Sequence, residues 1–172
     1  MSTLSFSVVI PAFNGAKYIG EAIESVLAQS YPHFEIVVVN DVSTDNTAEI
    51  VQSYDDPRVI YIEHEVNQGA DMARKTALHA STGELIAFLD QDDYFHTEKL
   101  AAHAKQYEDE PDTGLTYNGR YDFDGESGQI RQVWRPPDTV TLADLCVGFP
   151  FAPSDTVLRR EWAMREEIWD QS

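Results

Sequence analysis

Four short runs, "SFSVVIP", "FEIVVVN", "RVIYIE" and "ELIAFLD", are almost continuously apolar, and each is followed by a segment with helical spacing. A strand with one wet face alternates apolar and polar residues, whereas one that is apolar throughout must be covered on both faces. Such strands separated by helices predict a mostly parallel, doubly wound α/β sheet joined by right-handed crossovers. The helical segments are "AKYIGEAIESVLAQS", "STDNTAEIVQSY", "GADMARKTALHAS" and "TEKLAAHAKQYEDE". In the first, Ile19, Ala22, Ile23, Val26 and Leu27 recur at the spacing of one helix face. Ser43 or Thr44 is expected to cap the second, with Asp45 in its first turn.

Ligands of such sheets bind outside the carboxyl ends of the strands. Three polar segments, "PAFN", "NDVSTD" and "DQDD", fall at those ends, so the fold is expected to gather them on one rim. From about Thr113 the pattern changes. "GLTYNGRYDFD", "GESGQIRQVWRPP" and "PSDTVLRRE" read as short, partly antiparallel strands with Gly and Pro turns, with a short helix, "LADLCVG", among them. The chain is expected to be a single domain over residues 1–172, with a change of subregion near residue 112.

Composition narrows the partners. Thirty acidic and twelve basic side chains leave 172 residues with a net charge of −18. That excludes nucleic acid as a partner, because binding it would need clustered Lys and Arg. A phosphate-bearing ligand would instead need a local counter-charge such as a metal ion. Cys146 is alone, which rules out an intrachain disulfide framework and suggests a reducing compartment. The start has no basic segment ahead of a long apolar run, and no stretch approaches the ~20 apolar residues of a membrane span. A cytoplasmic location is therefore expected.

"DQDD" crowds Asp90, Asp92 and Asp93 at the end of a strand. Like charges so close repel one another unless a cation or a hydrogen-bonding ligand takes up the charge. One carboxylate can hold Mg2+ or Mn2+, which prefer hard oxygen donors and leave positions open for phosphate oxygens, while the other accepts hydrogen bonds from a ribose. Otherwise the segment is a solvated turn before the helix near Thr97. Asp41, ionised and acceptor-only, can take a ring N–H of a nucleobase or cap a turn. Pro11, Ala12 and Phe13 can line a base pocket, although Phe13 suits the core equally. Arg74 can serve a phosphate, a base or Asp41, or lie solvated on its helix. The five histidines show no metal-ligand spacing, and Trp134 suits either a sugar ring or simple packing.

"SVVIPAFNGAKYIGEAIESVLAQSYPHFEIVVVNDVSTDNTAEIV" followed by "NQGADMARKTALHASTGELIAFLDQDD" resembles the family 2 glycosyltransferases, closely over residues 5 to 100 and loosely beyond. The resemblance implies a GT-A type fold and metal-dependent, inverting transfer of a sugar from a nucleotide-sugar donor, UDP-sugars favoured, to a saccharide or lipid-linked acceptor. Polysaccharide or glycolipid synthesis would follow, with peripheral membrane association of the full-length protein. Residues 1–112 would be the nucleotide-sugar-binding half and 113–172 the start of the acceptor-side half of a domain truncated at its C-terminus. It assigns Asp41 to the base, Asp92 to ribose and metal, Asp93 to the metal, and Pro11 and Ala12 to the nucleotide pocket. Two features depart from the pattern. Val42 stands where the family usually has Gly, so its turn must change conformation or carry strain. "EEIWDQS" resembles the segment just before the family's catalytic base, so the base is expected beyond Ser172. Glu161, Glu166, Glu167 and Asp155 are weaker substitutes. The alternatives are a non-catalytic nucleotide-sugar binding module and a nucleotidyltransferase. The latter would need a Gly-rich basic loop, where "PAFNGAKY" supplies one Gly and one Lys.

Overall fold

The computed structural model describes residues 3–125, 127–136 and 151–165. The four apolar runs form β1 (Phe6–Ala12), β2 (Phe34–Asn40), β3 (Val59–Glu63) and β4 (Leu85–Phe88). Between them lie α1 (Ile19–Leu27), α2 (Thr47–Gln52) and α3 (Ala70–Ala80), and α4 (Lys99–Asp109) follows β4. Then come β5 (Leu115–Tyr117), β6 (Arg120–Phe123), β7 (Ile130–Trp134), β8 (Thr156–Arg159) and the one-turn α5 (Arg160–Ala163). The main sheet has the order β3-β2-β1-β4-β8-β5, and β6 and β7 form a separate hairpin.

β1 through β4 are mutually parallel, while β8 runs antiparallel between β4 and β5. Alternate residues of each strand serve opposite layers, as the two-residue period of a strand requires. Val8, Ile10, Ile36 and Val38 pack with Ile19, Ile23 and Val26 of α1 and with Leu100, Ala104 and Tyr107 of α4. Val9, Val37, Val39 and Ile86 pack on the other face with Ala73, Ala77 and Leu78 of α3 and Ala163 of α5. The chain steps outward from β1 to β3 over one face, then returns across the other through α3 to place β4 on the far side of β1. The gap opened by that reversal, between the ends of β1 and β4, is where a doubly wound sheet forms its crevice.

Three expectations shift in detail. α2 begins at Thr47, and neither Ser43 nor Thr44 caps it. The Ser43 hydroxyl is engaged with Asn14 N–H and Asn40, and Thr44 N–H donates to the Asn14 side chain, so both residues tie two loops together instead. Asp45 lies ahead of the helix, where its carboxylate accepts the Thr47 N–H at 3.1 Å. "GLTYNGRYDFD" divides at Asn118–Gly119, sending β5 into the main sheet and β6 into the hairpin. The segment "LADLCVG" with Cys146, together with Glu166, Glu167 and Trp169, lies outside the described residues. Glu161 is exposed on α5, in keeping with a solvated position. Among the described residues, no helix is long and apolar enough to cross a membrane.

The turn after Asp41 holds Val42 in a strained conformation. Val42 adopts φ 63°, the left-handed conformation that a β-branched side chain tolerates poorly. Val42→Gly is expected to stabilise the fold by about 1 kcal/mol by removing this strain, partly offset by the entropy of an unfolded glycine. Thermal unfolding of the two proteins measures it. A lower melting temperature for the glycine variant would show that the turn is not strained.

Candidate functional site

The rim expected at the strand ends exists. Parallel pairing sets Ala12 beside Asn40, and Asp41 N–H donates to the Ala12 carbonyl at 2.8 Å. On the other side of β1, Leu89 N–H donates to the Val9 carbonyl at 3.0 Å, which carries the chain into Asp90. Pro11, Ala12, Phe13, Asp41, Arg74 and Asp92 all line one cleft of about 440 Å³, with Asp90 and Gln91 on the same wall. Phe13 is 47% exposed there, so it belongs to the cleft and not to the core.

Asp41 is buried, and its carboxylate organises the wall around it. It accepts the backbone N–H of Gln68 at 2.9 Å and of Gly69 at 2.7 Å, and His64 Nδ1 lies 2.7 Å away. His64 Nε2 meets the Thr76 hydroxyl at 2.8 Å, which ties this centre to α3. Gly69 precedes α3 with φ 86°, a conformation that favours glycine, and it turns its N–H towards the carboxylate. Burial pushes the Asp41 pKa up, but the Gln68 N–H, the His64 ring and the Gly69 N–H outweigh it, holding the carboxyl below its usual value. Sequence reading dismissed His64 because it looked only for metal-ligand spacing.

Arg74 does not pair with Asp41. Its guanidinium bonds Asp90 at 2.5 Å and Asp71 at 2.9 Å, and its buried Nε has no hydrogen-bond partner among the described residues. One member of the acidic triplet therefore already has a counter-charge from the protein. Gln91 spans to the loop after β1, accepting Phe13 N–H at 2.9 Å and donating to the Phe13 carbonyl at 3.1 Å. A Cβ on Gly15 would collide with the Gln91 side chain, so glycine there leaves room for this bridge.

The other two carboxylates face a second cavity of about 300 Å³, which shares Asp92 with the cleft and contains Asp93. Burial pushes the Asp93 pKa up; the Ser154 hydroxyl opposes this, while the charges of Asp90, Asp92 and Asp155 add to it. Negative charge on Asp93 is thus undercompensated, an environment that favours a bound cation. Among the described residues, no three His, Cys, Asp or Glu side chains converge as a complete metal cage. One or two carboxylates with the remaining positions open fit Mg2+ or Mn2+, which take water and substrate phosphate as their other ligands.

Beneath the acidic loop lies a polar network that sequence reading missed. Lys99 Nζ bonds Asn118 Oδ1 at 2.5 Å and the Ser154 carbonyl at 2.7 Å, and lies 4.4 Å from the centre of the Phe95 ring. Ser154 Oγ in turn accepts Asp90 N–H at 3.0 Å. His103 lies between Thr116 and Asn118. Burial pulls Lys99 down to about 7 against the pull of Asp155 and Asp93, and burial with Lys99 pulls His103 down to about 4. Lys99 and His103 share the buried face of α4 with Leu100, Ala104 and Tyr107. Two basic residues four apart on an apolar stripe were the signal available in the sequence. Asp155 is buried, taking Arg120 at 2.7 Å and Ala152 N–H at 2.9 Å, so it is a structural anchor and not a substitute base. Trp134 packs edge-on to Phe151 with Arg120 over its ring, which gives it a packing role.

The family model for glycosyl transferase family 2 matches residues 7–165, and the chain belongs to that family. Among curated relatives, a putative teichuronic acid biosynthesis glycosyltransferase, TuaG of Bacillus subtilis, is 44% identical over 96 residues, covering 55% of this chain and 38% of that protein. The solved structure of S. aureus TarS in complex with UDP-GlcNAc superimposes with a TM-score of 0.78 at 28% identity, covering 96% of this chain and 48% of that one. A mannosyltransferase from Pyrobaculum calidifontis, solved with GDP-Man and Mn2+, gives a TM-score of 0.61 at 27% identity, covering 69% of this chain and 36% of that one. The chain thus spans about half or less of the length of these proteins.

Two measurements probe the site without ligand. Asp41→Asn places an amide against the N–H groups of Gln68 and Gly69 and is expected to cost about 1–3 kcal/mol of stability by denaturant unfolding. An unchanged midpoint would mean that the carboxylate does not organise this wall. Lys99 gains its proton less readily when folded than when unfolded, so the unfolded chain binds more protons from about pH 7 towards 10.5. Wild-type stability should therefore rise relative to Lys99→Met as pH increases from 7 to 9, and parallel pH profiles would refute the burial argument.

Proposed function

We propose that this chain is the donor-binding part of a glycosyltransferase that moves a sugar from a nucleoside-diphosphate sugar to an acceptor hydroxyl with inversion. The observation that carries this reading is the cleft itself. Three parallel strand ends bring Pro11, Ala12, Phe13, Asp41 and Asp92 to one crevice, α3 adds Arg74, and Asp93 lies beside it. A UDP-sugar is the favoured donor, supported by the TarS structure with UDP-GlcNAc, and the acceptor is a saccharide or a lipid-linked sugar.

In this reading the base lies between Phe13 and the wall organised by Asp41, and Asp92 accepts from the ribose. These contacts convert remote binding into orientation of the anomeric carbon. Arg74 holds Asp90 on the wall of the cleft, keeping that carboxylate from competing with the phosphates for the cation. Asp93, with Asp92, would hold a divalent cation that neutralises the diphosphate and stabilises the departing nucleoside diphosphate. Inversion needs a base to take the acceptor's proton. Asp155 is committed to Arg120, so that group is sought elsewhere in the protein.

Thermal unfolding with UDP and GDP, each with and without Mn2+, tests the reading. A nucleotide at ~100 times its dissociation constant stabilises by about 2.7 kcal/mol, a shift of several degrees for this size. The expected result is a metal-dependent shift that Asp93→Asn removes. The same substitution should raise the melting temperature of the metal-free protein, because it relieves repulsion from Asp90 and Asp92. No shift with either nucleotide in either condition would overturn the donor-site reading.

A further inference from the structure

The second cavity has walls unlike those of the nucleotide cleft. It lies where the start of α1, the acidic loop and the β6–β7 hairpin meet, and at about 300 Å³ it is at the small end of ligand sites. Its apolar surface is aromatic. Tyr94 and Tyr121 are 53% and 64% exposed, and the Tyr94 ring lies 4.9 Å from that of Phe123. Rings this open on a protein surface leave apolar faces in water unless a ligand covers them. Its polar surface is carboxylate, with Glu21 from α1 and Asp122 from the hairpin joining Asp92 and Asp93. Among the described residues, no lysine or arginine lines it. Arg120 bonds Asp122 at 3.1 Å but also bonds Asp155, and Lys17 lies over the Tyr18 ring.

Aromatic faces beside hydrogen-bond-accepting carboxylates suit one ligand chemistry. A pyranose presents a face of C–H groups that packs on an aromatic ring and a rim of hydroxyls that donate to carboxylates, and O–H···O⁻ bonds are among the stronger ones available. A phosphate or carboxylate on that ring would meet net negative walls. We propose that this cavity is the acceptor subsite and takes a single uncharged sugar ring, stacked on Tyr121 and the Tyr94–Phe123 pair and hydrogen-bonded to Glu21 and Asp122. This rests on the donor-site reading above. It makes the acceptor terminus a neutral sugar in place of a phosphodiester or uronic acid, presented to the reacting carbon from the α1 side of the acidic loop.

The test uses the chain with saturating UDP and Mn2+. Saturation-transfer NMR is recorded with methyl β-D-glucopyranoside and methyl N-acetyl-β-D-glucosaminide as neutral probes, and with methyl β-D-glucuronide as the anionic one. At least one neutral glycoside is expected to bind, and the glucuronide is expected to bind at least tenfold more weakly. Tyr121→Ala, at an exposed position that leaves the core intact, should weaken the neutral probe at least tenfold and leave the UDP melting shift unchanged. Glu21→Gln should weaken it more modestly. If UDP binds and no neutral glycoside does, or if the glucuronide binds as well, the acceptor proposal falls and the donor site stands. If Tyr121→Ala weakens UDP-glucose but not UDP, the ring belongs to the donor and the assignment is overturned. If UDP produces no shift in the unaltered protein, the underlying reading fails and the proposal fails with it.

Discussion

Everything functional in this molecule depends on the in-register parallel pairing of β2, β1 and β4. Parallel strands present their carboxyl ends on the same side, so three loops far apart in sequence must share one rim. The register is held by burial, because both faces of these strands are covered and a one-residue slip would send each layer's side chains into the other. The reversal of strand order beside β1 then separates the rim's two halves and leaves a crevice. The chemistry comes from what the loops carry, but its location is set by the apolar pattern.

A chain with a strongly negative net charge has few cations, and three of them are placed inside or beside the rim. Arg74 holds Asp90, Arg120 holds Asp155, and Lys99 sits beneath the acidic loop against Asn118 and the Ser154 carbonyl. None of them neutralises Asp92 or Asp93 by a direct ion pair among the described residues. Asp90 and Asp155 are paired, while Asp92 and Asp93, on the same loop, are left to repel each other. Buried charges are expensive unless paired or given a counter-ion, so this division separates the scaffold from the site.

Much of this was legible in the residues. The four strands, the four principal helices and the convergence of "PAFN", "NDVSTD" and "DQDD" follow from apolar period and strand-end logic, and all six nucleotide-site candidates line one cleft. What sequence reading missed has a common cause. His64, Ser154 and Asn118 act through partners 15 to 64 positions away, and no local spacing reveals such pairs. Arg74 does not reach Asp41 but bonds Asp90, which lies within reach only after α3 has crossed the sheet. The caps Ser43 and Thr44 failed for the same reason. A hydroxyl that can serve its own helix can equally serve a neighbouring loop, and Asn14 was the better-placed partner.

The position of β8 has a consequence for how the protein can be divided. Although it comes last among the strands, it is inserted between β4 and β5 and pairs with both. The turn leading into it supplies the Ser154 hydroxyl that receives Asp90 N–H. The apparent seam near residue 112 is therefore not one along which the polypeptide could be cut. A fragment ending there would leave β4 as a bare apolar edge, open to pairing with other molecules, and would remove the floor on which the acidic loop rests.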